Sequence, residues 1–295
     1  MKISSDQKIF AGYIIFLVEQ MYLRNNEYLS SNCDKIRNLN KEQLIKELSK
    51  IMFEFNILND CLSINKVQQS KLYKELSIKL DEMFNDEYLT ERDCIKEILS
   101  NCAKDSYYIN SFVTSIGISY TLKPVSGSTI KGIINHKVDG KTWSERLWTD
   151  KINLRKDMKL QVKKFLNGEI NVNEISNILE KKYSNNKYVT KRLLNTEICR
   201  VQSSANEVWA KNHNIQYQLF MATLDNKTSQ RCRSKDNTTY RIDDDNKPIP
   251  PLHPNCRSCL VNIPYKDWRP TYRRDNLNKT KMQWTDYETW KKDNL

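Results

Sequence analysis

Cys232, His253, Cys256 and Cys259 follow one another as Cys, twenty residues, then His-x-x-Cys-x-x-Cys, within a chain of 295 residues. Three thiolates and one imidazole make a tetrahedral donor set for zinc, and Cys-x-x-Cys on a tight turn is the usual way to present two of them. Four protein ligands would close the site, so a metal held this way would be structural. It would clip the proline-rich loop ahead of Cys256 back to the strand that precedes Cys232. The same residues have a second reading without metal. Pro254 and Arg257 would shape a turn, His253 would bond backbone, and the thiols would simply be buried as small hydrophobes.

The remaining chemistry is sparse. The histidines are His136, His213 and His253, and only the last sits in a candidate site. The sequence shows no Gly-rich phosphate loop, no Gly-x-Ser-x-Gly elbow and no paired-His metal motif. The expectation is therefore a protein without enzymatic activity; the competing reading is a small zinc-stabilised or metal-dependent nuclease. Asp243, Asp244 and Asp245 read as a solvated acidic loop before a cation site. Glu197 stands three residues before Arg200, the spacing of an intrahelical ion pair. Cys33, Cys61, Cys94, Cys102 and Cys199 are scattered singly and read as free core thiols.

Charge narrows the partner. Residues 1–140 hold 18 basic and 18 acidic side chains, whereas residues 141–295 hold 30 basic and 18 acidic, so the whole excess of +12 lies in the second half. Such asymmetry points to a polyanion or an acidic partner. Lys151, Arg155, Lys156, Lys159, Lys163, Lys164, Arg273 and Arg274 are the candidate contacts to DNA. A membrane is not expected: the longest apolar run, Ile9 to Val18, is about half of the ~20 residues that a spanning helix needs.

The elements that must position these residues are mainly helical. Residues 5–104 contain one Gly and no Pro, with apolar stripes such as Leu44, Leu48, Ile51 and Leu72, Leu76, Leu80. Breaks are expected at Ser30 to Asn32 and at a helix start on Thr90. Residues 105–142, rich in Tyr, Ile and Gly, read as a connector with short strands. A second helical block runs from Trp143 to Asn212, divided at Asn167-Gly168 and again at Ser184 to Asn186. Ile215 to Met221, Thr239 to Ile242 and Leu260 to Ile263 read as strands, and residues 266–295 as a basic aromatic tail ending in a short docked helix. The fold class expected is mainly α with a small C-terminal α+β module. It comprises an N-terminal helical domain (1–104), the connector (105–142), helical hairpins with a short antiparallel sheet and its proline-rich Cys/His loop (143–265), and the tail.

Four motifs in this order resemble the tailed-phage minor head proteins, the Mu F-like head morphogenesis family. They are Trp143-Ser-Glu-Arg-Leu-Trp148, Arg192-Leu-Leu-Asn-Thr-Glu197, Ala222-Thr-Leu-Asp225 with Thr228 and Cys232-Arg233, and Pro250-Pro-Leu-His-Pro-Asn-Cys-Arg-Ser258. The resemblance is close over 141–263. It implies structural roles for Trp143, Glu145, Arg146, Trp148, Arg192, Thr196, Glu197, Asp225, Thr228, Arg233, Pro251, Pro254 and Arg257. It makes Asp225, Cys232, His253 and Cys256 the shared set, so that Asp225 competes with Cys259 as fourth ligand, and it implies a buried pairing of Glu197 with Arg192 or Arg146. It further implies a component of the virion head interior, in the host cytoplasm during assembly. Its partners would be the portal protein, non-specifically bound double-stranded DNA, and scaffold or major capsid protein.

Overall fold

A computed structural model describes residues 5–115 and 123–295 of the chain. The mainly helical class with small antiparallel sheets is observed. Helices α1 (Ser5–Glu54) and α2 (Lys66–Ser115) are joined by a hairpin of β1 (Asn56–Leu58) and β2 (Cys61–Ser63). Asn59 and Asp60 both have positive φ, +51° and +62°, the conformation a two-residue turn of this kind needs and these residue types tolerate. Helices α3 (Gly127–Ile134), α4 (Trp143–Leu166) and α5 (Val172–Asn212) follow. The C-terminal region holds β3 (Tyr217–Met221), α6 (Gln230–Arg233), β4 (Thr239–Arg241), β5 (Cys259–Ile263), β6 (Tyr272–Asp275), β7 (Thr280–Gln283) and α7 (Tyr287–Asn294).

Three expected breaks do not exist. At Ser30 to Asn32 helix α1 continues, because Ser31 Oγ and Asn32 Nδ2 both donate to the Tyr28 carbonyl, at 3.0 and 2.8 Å, and so bond back into their own helix. Thr90 lies inside α2. Ser184 to Asn186 lie inside α5, where Asn186 is buried and bonded to side chains of other helices. The connector is also more helical than its composition implies: Tyr107, fully buried, belongs to α2, and residues 127–134 form α3. Burial of an apolar face has overridden β propensity there. The strand expectation at Ile116, Ile118, Tyr120 and Leu122 lies outside the described residues.

The chain divides into two compact units that do not follow sequence order. One comprises residues 26–95 and 137–191, the other residues 1–25, 96–136 and 192–295. The first has a core of Leu44, Leu48, Leu76, Leu80, Phe84, Met158, Val162, Phe165, Ile175 and Leu179. Helix α4 enters it through a capping box: Thr142 Oγ1 accepts from Glu145 N, and the Glu145 carboxylate accepts from Thr142 N. It leaves at Asn167-Gly168 as expected, with Gly168 at φ +72°. A Cβ at Gly168 would stand 2.8 Å from the Leu62 carbonyl oxygen. Gly168→Ala is therefore expected to lower stability by more than the ~1 kcal/mol typical of a lost helix-terminal glycine, read as a fall in the urea midpoint.

In the second unit the expected strands pair as an antiparallel sheet in the order β4-β3-β5, with Leu219 opposite Val261 and Met221 opposite Cys259. Leu219, Met221, Val261, Ile263 and Trp268 form its core. Gln218 is also fully buried, and its side chain accepts from Lys247 at 2.7 Å and donates to Asn262 at 3.0 Å. Residues 266–295 pack as a β6–β7 hairpin followed by α7, with Trp290 and Tyr287 fully buried.

Candidate metal centre

Cys232 comes from α6, one turn of helix between β3 and β4, and is 1% exposed. His253 and Cys256 come from the loop before β5, where prolines exclude helix and Asn255 adopts a positive φ of +58°. Helix α5 holds that loop: Thr196 Oγ1 accepts from Asn255 N at 3.0 Å, and Asn195 Nδ2 donates to Asn255 Oδ1 at 3.4 Å. Thr223 Oγ1 donates to the Arg257 carbonyl at 3.1 Å from the sheet side.

Two of the separations match a tetrahedron. Cys232 Sγ lies 3.3 Å from His253 Nε2 and 3.7 Å from Cys256 Sγ, and the three donor atoms are all within 4.8 Å of one another. Ligands at ordinary zinc–sulfur and zinc–nitrogen bond lengths stand about 3.8 Å (S to S) and about 3.6 Å (S to N) apart at tetrahedral angles. The sulfur separation is far beyond a disulfide bond. His253 Nδ1 lies 2.8 Å from the Pro254 carbonyl, which can only accept, so the ring proton sits on Nδ1 and the Nε2 lone pair faces the thiols. A carbonyl partner of this kind is how metal-binding imidazoles are oriented. Cys256, hydrogen-bonded to the Cys199 thiol and buried, has its own thiol pKa pushed up to about 11.

The two expected fourth ligands are not brought to this group. Both Asp225 oxygens are engaged: Oδ1 accepts from Lys227 N and Thr228 Oγ1, each at 2.9 Å, and Oδ2 pairs with Arg257 at 2.6 Å. Cys259 starts β5 and packs against the sheet core, because the strand's alternation turns it away from the loop. Among the described residues, the His, Cys, Asp and Glu group able to hold a metal is Cys232, His253 and Cys256. The thiol that sequence reasoning missed is Cys199. Helix α5 places it beside Cys256 and 3.7 Å from the Ser258 carbonyl, and no spacing could link it to a loop more than fifty residues on. Tyr22, whose hydroxyl donates to the Cys256 carbonyl at 3.4 Å, is a second such residue.

The motif residues are placed as follows. Trp143 is buried at the start of α4, Trp148 packs against Tyr88 at 4.7 Å between ring centroids, and Arg146 donates to the Val138 carbonyl at 3.4 Å. Glu197 pairs with Arg200 at 2.7 Å, both buried, while the Arg200 guanidinium also caps α3 through the Ile133 and Ile134 carbonyls at 2.7 and 2.9 Å. Arg233 donates to the Thr228 carbonyl at 2.7 Å and lies over the Tyr287 ring. Arg192 and Pro254 are exposed, and Pro251 is half-buried.

The candidate DNA contacts divide. Lys151 is 1% exposed and bonded to Glu87 and Glu91 at 2.9 and 2.7 Å; Arg273 is 1% exposed and paired with Asp236 at 2.7 Å. Neither faces solvent, which corrects their assignment as phosphate contacts. Arg155 and Lys159 both pair with Asp81, at 3.2 and 2.7 Å, and Lys164 and Arg274 are half-buried. Lys156 and Lys163 are exposed. The charge excess also redistributes. The unit containing the sheet has 25 Lys and Arg against 16 Asp and Glu, net +9, and the α4 unit 23 against 20, net +3.

No helix among the described residues is long and apolar enough to cross a membrane. No curated protein and no solved structure matches the chain. Residues 156–261, which run from the middle of α4 through α5, the three-stranded sheet and the Cys/His loop, match the family described as phage Mu protein F like protein.

Proposed function

We propose that this protein is a phage minor head protein, associated with the portal and acting in head morphogenesis and in the packaging or ejection of DNA. The Mu F-like match over residues 156–261, in the stretch that carries three of the four sequence motifs, is the observation that supports this reading. The protein works in the head interior after assembling in the host cytoplasm, where scaffold or major capsid protein are further partners. Its role is non-enzymatic. Co-expression with the portal protein of the same phage should yield a complex that survives size-exclusion chromatography. A chain that neither co-purifies with the portal nor enters particles contradicts the proposal.

Contact with duplex DNA is non-specific and electrostatic, carried by exposed cations of the net-positive unit such as Lys227, Arg231, Lys279 and Lys281. Phosphate neutralisation releases counterions, so replacing Lys279 and Lys281 by Ala should weaken binding on any sequence and flatten the log–log salt slope by about 2. An unchanged slope excludes these two as contacts. Cys232, His253 and Cys256 would hold zinc, whose bound form would cross-link α6 to the loop before β5. DNA cleavage that depends on His253 would contradict the non-enzymatic reading.

A further inference from the structure

We infer that the metal centre keeps one coordination position free of protein side chains, open to a small donor from solution such as water or azide. The inference rests on the metal reading above and deepens it.

Zinc held structurally takes four protein ligands, and three ligands with one exchangeable position mark the reactive class. Cys232, His253 and Cys256 supply three donors in mutual reach. Among the described residues, each neighbour that could close the tetrahedron is committed elsewhere. Asp225 spends its oxygens on Arg257, Thr228 and the Lys227 amide. Cys259 packs against the sheet core. Cys199 touches Cys256 but stands outside the group of donors in mutual reach, with its thiol toward the Ser258 carbonyl. What borders Cys232 instead are the hydroxyls of Ser229 and Ser258. Hydroxyls are not among the usual zinc ligands, but they hydrogen-bond thiolates and small bound donors. His253 is the partly exposed member of the group and Pro254 beside it is exposed, so a donor from solution would approach from the imidazole side.

The test uses the full-length protein loaded with Co²⁺ at one equivalent, followed by visible absorption during titration with azide. A saturable one-to-one shift of the d–d bands is expected, unchanged in Cys199→Ser and Cys259→Ser. X-ray absorption of the Zn²⁺ form should count two sulfurs and two light atoms. Stoichiometric metal uptake with three sulfurs, or with bands indifferent to azide, overturns the open position while leaving the metal reading intact. If wild-type protein takes up no stoichiometric Co²⁺ or Zn²⁺, the metal reading fails and this inference with it.

Discussion

Replacing Lys151 by Met should destabilise the α4 unit by about 3–5 kcal/mol, the usual cost of leaving buried charges without their partner. The Lys151 ammonium lies 2.9 Å from Glu87, 2.7 Å from Glu91 and 3.1 Å from Asn186 Oδ1, with both carboxylates fully buried. Arg37 pairs with Glu91 at 2.7 Å, Asn40 donates to Glu87 at 3.0 Å and Thr190 to Glu91 at 3.0 Å. Removing the lysine leaves Glu91 with the Arg37 guanidinium and Glu87 with only the amides of Asn40 and Asn186, in a medium where water cannot screen them. Hydrogen exchange across α2 and α4 reads the effect, which should be faster by orders of magnitude in the variant. Adding Glu87→Gln and Glu91→Gln should recover much of the loss, since a neutral hydrogen-bonded interior replaces an unbalanced one. DNA affinity should not change. Loss of affinity with unchanged exchange would instead return Lys151 to a phosphate-binding surface.

Arg273→Met should loosen the C-terminal hairpin and α7, again at about 3–5 kcal/mol. The guanidinium bonds both Asp236 oxygens at 2.7 and 2.8 Å and donates to the Ala222 and Thr285 carbonyls. Asp236 in turn accepts from the Ala222 and Tyr287 amides at 2.7 and 2.8 Å. One buried ion pair thus joins the end of β3, the turn after α6, the hairpin and the start of α7. Limited proteolysis should cut the variant within residues 266–295 under conditions in which the wild type resists. Arg273→Lys should recover only part of the resistance, because an ammonium cannot reproduce the two-pronged geometry. Equal resistance of Met variant and wild type would show that Trp268 and Trp290 alone hold the segment.

Local pattern made much of this molecule legible. The strands at Tyr217, Thr239 and Cys259 were readable from alternation and bounding turns, and the end of α4 from Asn167-Gly168, whose glycine takes a φ of +72°. Each depends on interactions within a few residues, so composition and spacing are sufficient. The grouping of Cys232, His253 and Cys256 was legible for a related reason: these types have few uses together. Ser30 to Asn32 and Ser184 to Asn186 failed as breaks because Ser31, Asn32 and Asn186 bond back into their helix or across it, and Thr90 failed as a start because propensity is too weak to oppose packing of an apolar face.

Which residues meet across the fold was another matter. Cys199 sits beside Cys256, and Lys151 between two glutamates sixty and sixty-four residues away, only because helices from distant parts of the chain pack together. Asp225 and Cys259 were equally good ligands by type; an ion pair to Arg257 and the pleat of β5 removed them. Charge followed the same rule. Its total and its bias toward the second half are properties of the residue list, but burial withdraws Lys151 and Arg273 from any surface, since a charge satisfied in the interior has no field left to offer a partner.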